Sequence, residues 1–274
     1  MQQDDIILFF SKYIEKELGI IYSPQNYYQL QSRLDELVKI LKIPDLLTLY
    51  HDVQSQSPRF RKQLLLDIAT NNETSFFRDP RVFRSIEFVL KDLIEGCQKK
   101  NEPLKIWSAA TSTGQEPVSV AILIEEFLTT MSLSKGYSIY CTDISERVLK
   151  RAQEGVYSDL EIHRGLSDRF LEKYFIKEGD KWKVIPQIKK YMEFQKQNLI
   201  EKFINPDCFN LVLCRNVLIY QNIESKKQIL KKLSDSIISG GYLVLGAGES
   251  LLGLSSDFEQ EVIDGAVFYR KKMY

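Results

Sequence analysis

The chain has 274 residues, 44% hydrophobic, 11% aromatic and 27% charged, which is the composition of packed domains and excludes a disordered or fibrous protein. Lys+Arg and Asp+Glu are both 37, so a broad cationic face would need an equally acidic region elsewhere, and nucleic acid is not expected as a partner. No stretch approaches the roughly 18 consecutive apolar residues of a membrane span, and the start Met1-Gln2-Gln3-Asp4-Asp5 is acidic where a signal peptide is basic, so the expectation is a cytoplasmic protein with no direct membrane insertion.

Residues 1–70 read as helices only. A run from Asp5 to Leu18 is followed by Ser23-Pro24, an N-cap with proline in the first turn, opening a helix from Asn26 to Leu41. Leu30, Leu34, Leu37 and Leu41 fall on one face of that helix. Pro44-Asp45 and Ser57-Pro58 read as two further starts, giving an amphipathic bundle of about four helices. Its charges, Arg33, Lys39, Lys42, Arg59, Arg61 and Lys62, read either as a solvated helix face or as a docking surface for an acidic partner.

A linker and first helix, 71–100, join this bundle to a second unit over 101–274. In Asn71-Asn72-Glu73-Thr74-Ser75-Phe76-Phe77-Arg78-Asp79-Pro80 the two phenylalanines read as core anchors that clamp Asn72, Thr74 and Arg78 around them. From about residue 104 short apolar runs alternate with helical segments, the signature of a parallel sheet wrapped by helices. Strands are expected at Leu104–Ala109, Tyr137–Thr142, Phe209–Cys214 and Gly241–Gly246; helices at Pro117–Leu128, Ser145–Gln153 and Glu224–Ile238. The tail, Phe258–Ile263 and Val267–Arg270 around Asp264-Gly265, reads as a hairpin. The rhythm is interrupted between Gly155 and Gln197, where a helix at Ser167–Tyr174 and a hairpin at Phe175–Ile185 suggest a small antiparallel subdomain inserted over about 156–193.

Four cysteines without CxxC spacing and two distant histidines, His51 and His163, disfavour a metal site or a disulfide framework. The shortage of histidine also directs attention to reactions that need no such base at neutral pH.

In a parallel sheet, ligands lie beyond the C-terminal strand ends, so polar residues interrupting the apolar runs are the ones to examine. The first interruption, Ser108 to Pro117, is a small-residue turn into a helix, neither GxGxxG nor a P-loop, and it reads equally as an ordinary connection. Asp143 ends the second strand, where a carboxylate accepts hydrogen bonds from a ribose diol or else caps the next helix; together the two edges favour a nucleoside. At the third, Arg215 and Asn216 break an apolar run, and a charge there either pairs inside the fold or faces a ligand. The linker is the fourth.

These segments resemble the chemotaxis receptor glutamate O-methyltransferases, the CheR family. The matching stretches are NNETSFFRDPRVF from Asn71, IWSAATSTGQEPVSVAI from Ile106, CTDISERVLKRAQEGVY from Cys141, FQKQNLIEKF from Phe194, FNLVLCRNVLIY from Phe209 and GGYLVLGAGES from Gly240, in family order over nearly the whole chain. The resemblance implies an α/β, class I S-adenosylmethionine-dependent methyltransferase (Rossmann-like) sheet domain, with an N-terminal helical domain and a small inserted antiparallel β-subdomain. It implies S-adenosyl-L-methionine as cofactor, S-adenosyl-L-homocysteine as product and no metal. By motif position Asn72, Thr74, Arg78, Glu116, Asp143, Asn198, Leu199, Arg215 and Asn216 would bind the cofactor, Asn198 and Leu199 flanking the adenine, while Arg78 and Tyr220 would hold the incoming carboxylate as catalytic residues. Gln115, Asn71 and the GAGES segment depart from the family's usual residues.

The implied reaction is protein-glutamate O-methylation on the cytoplasmic helical region of methyl-accepting chemotaxis receptors. A glutamate side chain ordinarily titrates near pH ~4.3 and is ionised at pH 7, so its methylation needs no base, in keeping with the scarce histidines. The compact turn at Glu178-Gly179-Asp180 resembles the shorter version found in members that do not bind the receptor's C-terminal pentapeptide, so tethering through that tail is not expected. Two other readings stand beside this one: a class I methyltransferase with another acceptor, and a non-catalytic module that binds S-adenosylmethionine.

Overall fold

The computed structural model describes residues 3–56, 62–130, 136–201 and 207–273. Helices α1 (Gln3–Leu18), α2 (Tyr27–Leu41), α3 (Leu46–Gln54) and α4 (Lys62–Ala69) each bury one apolar stripe in a shared core built on Phe10, Ile14, Leu30, Leu34, Leu37, Leu49 and Leu65. The leucine spacing in α2 accounts for its contribution, and Leu41, at the frayed end, is half-buried. Ser23 does not cap α2: its hydroxyl bonds Asn26 Oδ1 at 2.5 Å, and Pro24–Asn26 forms a one-turn 3-10 helix ahead of it. Asp45 does cap α3, accepting the Thr48 N–H at 2.8 Å, and these bonds hold its carboxyl below the ordinary aspartate value. Ser57-Pro58, Arg59 and Arg61 lie outside the described residues.

The basic face is not free as a whole. Arg33 turns inward to donate to the Tyr22 hydroxyl and the Ala69 carbonyl, both at 2.7 Å, and Lys62 pairs with Glu17 at 2.5 Å. Lys39 and Lys42 are exposed. Charge on a helix surface predicts solvent only when no carbonyl or carboxylate of the fold lies within reach of so long a side chain.

After α5 (Pro80–Lys100) come β1 (Leu104–Ala109), α6 (Gln115–Thr130), β2 (Tyr137–Asp143) and α7 (Glu146–Glu154). A three-stranded antiparallel sheet follows, β3 (Val156–Ser158), β4 (Phe175–Glu178) and β5 (Lys181–Val184) in the order β3-β5-β4, with α8 (Asp159–His163), α9 (Asp168–Tyr174) and α10 (Pro186–Lys189) around it. The chain returns through β6 (Met192–Lys196), β7 (Phe209–Cys214), α11 (Ile223–Ser236), β8 (Ile237–Leu245), β9 (Phe258–Ile263) and β10 (Ala266–Lys271). The main sheet is ordered β6-β2-β1-β7-β8-β10-β9, parallel throughout except for β10, which runs antiparallel to both neighbours.

Helix α6 begins two residues before Pro117, which costs nothing because N–H groups of a first helical turn have no intrahelical partner. Its Val120, Ala121, Ile122 and Ile124 are all 0% exposed, which explains a helix apolar on nearly every side. Ser145, not Asp143, caps α7, accepting the Val148 N–H at 3.4 Å. Strand order reverses between β1 and β7, so the crevice between the loops leaving their C-terminal ends is where a ligand is expected.

The linker is anchored at the meeting point of both sheets. Phe76 is 0% exposed and meets Tyr157 and Phe175 edge-on at centroid distances of 5.0 and 5.6 Å. Gly165 approaches its carbonyl so closely that a Cβ there would lie 2.0 Å from Phe76 O, at a φ of +111° that only glycine adopts readily. Phe76→Ala is expected to lower the unfolding free energy by about 3–5 kcal/mol, read by urea titration; a loss under about 1 kcal/mol would show that the ring is not a core anchor.

Candidate functional site

The turn from β1 into α6 places Ala110 and Ser112 at left-handed φ values of +63° and +52°, costly for residues with a Cβ, by roughly 1–2 kcal/mol each. Two bonds hold the turn there. Ser112 N–H donates to Asp143 Oδ2 at 2.9 Å, and the Ser112 hydroxyl donates to the Asn72 carbonyl at 2.8 Å, so β2 and the linker fix the same residue. Thr111 N–H bonds the Thr142 carbonyl at 2.8 Å beside them.

Asp143 is 5% exposed, with Oδ1 taking the Ser145 N–H at 3.0 Å. Burial pushes its carboxyl up, and the N–H bonds from Ser145, Ser112 and Ile144 only partly offset this. With these N–H bonds made, the carboxylate keeps acceptor capacity for a further donor.

Arg215 leaves the end of β7 with a side chain 2% exposed. Its Nη2 donates to Asp79 Oδ2 at 2.6 Å and to the Arg78 carbonyl at 2.8 Å, its Nη1 to Glu116 Oε2 at 3.2 Å, and the guanidinium lies over the Phe83 ring at 5.4 Å. Glu116 also accepts the Ser108 hydroxyl at 2.8 Å. The arginine therefore pairs inside the fold while also lining the cleft together with Glu116, whereas Asp79 borders a neighbouring recess.

The opposite wall is made by the segment after β6 and by the end of α1. Asn198 Nδ2 donates to the Glu17 carbonyl at 3.0 Å and Asn198 Oδ1 accepts the Ile200 N–H at 3.2 Å. Ile20 bridges Gln221, and Gly19 lies so close that a Cβ would stand 2.3 Å from Gln221 Oε1. The helical layer thus contributes Leu18 and Ile20 to the cleft lining, alongside Leu199 and Ile200. At the mouth, Arg78 Nη1 donates to the Glu73 carbonyl at 2.7 Å, and Asn71 Nδ2 donates to the Tyr220 hydroxyl at 2.8 Å.

Asn72, Thr74, Arg78, Glu116, Asp143, Asn198, Leu199, Arg215, Asn216 and Tyr220 all line this one cleft, an open space of about 1040 Å³ continuous with solvent. Sequence reasoning missed Gln197, whose side-chain Oε1 and Nε2 are buried beside Asn198 with no hydrogen-bond partner. It also missed Asp79, the anion nearest Arg215, and Asn71, read only as a departure from family pattern. Glu249, in the loop after β8, was missed as well: its carboxylate accepts N–H groups of the loop after β7.

The residues present fit S-adenosylmethionine. An aspartate with acceptor capacity left suits the ribose diol, an orphaned amide between aliphatic side chains suits adenine, and Glu116 beside Arg215 suits an α-ammonium group. Among the described residues no group of three or more potential ligands could hold a metal ion. Because the Asp143 carboxyl is raised, its ionised form is disfavoured by folding, a penalty absent well below the ordinary value of 3.8 and growing as pH rises through the folded value. Conversely, protonation on acidification removes an acceptor. Affinity for S-adenosylhomocysteine, measured by calorimetry, is expected to weaken from pH 7 towards pH 4 in the wild type and to be lower and flatter in Asp143→Asn; an equal pH slope in both proteins would exclude Asp143 as the group responsible.

A protein-family profile described as "CheR methyltransferase, SAM binding domain" matches residues 72–267. A "Chemotaxis protein methyltransferase" of Vibrio parahaemolyticus is 37% identical over 266 residues, 96% of this chain and 95% of the relative. "Chemotaxis protein methyltransferase 1" of Pseudomonas aeruginosa is 37% identical over 267 residues, 96% of each chain. "Chemotaxis protein methyltransferase" of Listeria innocua is 30% identical over 250 residues, 89% of this chain and 90% of the relative. With a cleft chemically suited to S-adenosylmethionine at the switch point of its sheet, and kinship spanning almost its full length, the chain belongs to the CheR methyltransferase family.

Proposed function

We propose that the protein methylates glutamate side-chain carboxylates on the cytoplasmic helical region of chemotaxis receptors, forming glutamyl methyl esters. The observation that carries this reading is the pairing, at the mouth of a cleft lined by no histidine, of a guanidinium and a phenol: Arg78 and Tyr220, the latter held by Asn71. A carboxylate acceptor asks for such a site. It arrives ionised, so what it needs is orientation, not deprotonation. The names of the relatives point to the same acceptor.

When bound, S-adenosylmethionine supplies a methyl group on a sulfonium. A carboxylate oxygen forms the new bond to that carbon as the carbon–sulfur bond breaks and its electron pair stays on sulfur, so no proton moves. The chain's task is to bring the reactants into line, which supplies on the order of 7–11 kcal/mol of barrier reduction. Tyr220 donates a hydrogen bond to one carboxylate oxygen. Arg78 orients the acceptor without gripping it: its Nη1 is already committed to the Glu73 carbonyl, and a tight ion pair would stabilise the ground state more than the transition state. Glu116, which lines the cleft beside Arg215, is the carboxylate placed to meet the cofactor's cationic end. Glu73 carries an ion pair with Arg164 at 2.5 Å, whose hydrogen bond and charge lower its carboxyl, so it stays anionic beside Arg78.

Among the described residues no helix is long and apolar enough to cross a membrane, consistent with a cytoplasmic enzyme that meets receptors at their soluble region. The short Gly179-Asp180 turn between β4 and β5 supports a subdomain that does not recruit the receptor's C-terminal pentapeptide.

The test is transfer of labelled methyl from S-adenosylmethionine to receptor-containing membranes, with release by mild base as the sign of an ester. Base-labile label is expected, equal for receptors with and without the C-terminal pentapeptide, and reduced at least about 100-fold in Arg78→Ala. Tyr220→Phe is expected to lower kcat at least about tenfold while leaving S-adenosylhomocysteine affinity within about threefold. Base-stable label, or equal losses of turnover and affinity in Tyr220→Phe, would contradict the reading.

A further inference from the structure

Glu249 does not line the cofactor cleft; it stands behind it, in the turn after β8, beside a recess bounded by Asp79, Pro80 and Tyr269. Its carboxylate is nevertheless bonded three times to backbone that forms the site. Oε2 accepts the N–H of Asn216 at 2.8 Å and of Gly246 at 2.7 Å, and Oε1 accepts the N–H of Ile219 at 3.1 Å.

The segment it holds is short and strained. Asn216 has a φ of +58°, and the chain then tightens into a one-turn 3-10 helix, Leu218–Tyr220. A turn so short leaves its leading N–H groups without internal partners. Glu249 supplies one for Asn216 and one for Ile219. The contact is tight: a Cβ on Gly246 would stand 2.7 Å from Asn216 Nδ2 and 2.9 Å from Glu249 Oε2, so the end of β8 meets this segment only because residue 246 is glycine.

One end of the clamped segment carries Arg215 and Asn216 and the other carries Tyr220. Arg215 is fixed independently by Asp79 and Glu116. The Tyr220 hydroxyl has the Asn71 amide as partner, and its backbone carbonyl accepts the Ile21 N–H at 2.9 Å. From the sheet side, Tyr220 is reached by the bond from the Ile219 N–H to Glu249, beside the Leu218 side chain buried in the core.

We propose that Glu249 is a positioning residue for methyl transfer: by clamping residues 216–219 it sets where the Tyr220 hydroxyl meets the acceptor carboxylate. The proposal rests on the glutamate-methylation reading for the part Tyr220 plays. An in-line displacement is sensitive to such placement, since a shift of about 1 Å costs on the order of 100-fold. Glutamine at 249 would keep one accepting oxygen and turn an amide NH2 towards an N–H, so at least one clamp bond is lost while size and shape persist.

The experiment combines a double-mutant cycle with hydrogen exchange on the full-length protein. Glu249→Gln is expected to lower kcat about 30-fold, with receptor KM and S-adenosylhomocysteine Kd each within about threefold. Because it acts through Tyr220, Glu249→Gln added to Tyr220→Phe should cost less than about twofold more than Tyr220→Phe alone. A general loss of structure would multiply the two effects, and that result overturns the proposal. Amide exchange at Asn216 and Ile219, without acceptor, is expected to quicken at least about tenfold in Glu249→Gln while β7 amides keep their protection. Equal exchange in both proteins also overturns it. Absence of label transfer by the wild type would instead defeat the glutamate-methylation reading, and the clamp is then decided by exchange alone.

Discussion

The structure turns on one buried cation. Arg215 has a side chain 2% exposed, so its charge must be met by groups of the fold. Those groups come from three separate parts of the chain: Asp79 and the Arg78 carbonyl from the linker, Glu116 from the start of α6, and the face of Phe83 from α5. Pairing the two Nη groups of one guanidinium, whose buried Nε has no partner in the fold, therefore fixes the linker against the sheet and sets both beside the crevice between β1 and β7. Removing one partner of such a cluster leaves buried charge uncompensated, at a cost of about 3–5 kcal/mol. Of its two carboxylates, Glu116 also lines the cleft, so the cluster brings an anionic group to the cleft wall.

Around that node the site is assembled from elements that would not hold their geometry alone. The β1–α6 turn is strained at Ala110 and Ser112, and it stays folded because Asp143 and the Asn72 carbonyl both bind Ser112. The linker that carries Asn72, Thr74 and Arg78 is held by Phe76 in the core and by the Phe77 N–H on the Ser119 hydroxyl at 3.0 Å. The end of α1 supplies the last wall through Leu18, Ile20 and the Glu17 carbonyl that fixes Asn198. Rigid placement of this kind suits a reaction whose barrier is lowered chiefly by alignment.

Much of this was legible in the sequence, for identifiable reasons. Strands β1, β2 and β7 are covered on both faces, so they read as apolar runs, and the residues that interrupt them at their C-terminal ends proved to line one cleft. The strands missed were those with no such signal: β3 has three residues, and the edge strand β6 is largely exposed and reads as polar loop. Pairings were harder still. Arg33 and Lys62 look like surface charges in one dimension, yet a carbonyl distant in the chain and a carboxylate on another helix claim them. Asn71 and Glu249 make bonds between segments far apart in sequence: Asn71 joins the linker to Tyr220, and Glu249 reaches the N–H groups of residues 216 and 219 only when strands β7 and β8 lie side by side.

The most direct test of this account is calorimetric binding of S-adenosylhomocysteine to the wild type and to Arg215→Met, with unfolding followed in parallel. If the guanidinium joins the linker, α6 and the cleft, Arg215→Met should bind at least about 30-fold more weakly, a change of about 2 kcal/mol, and unfold more readily. Affinity within about twofold of the wild type at undiminished stability would show that the site does not depend on this cation.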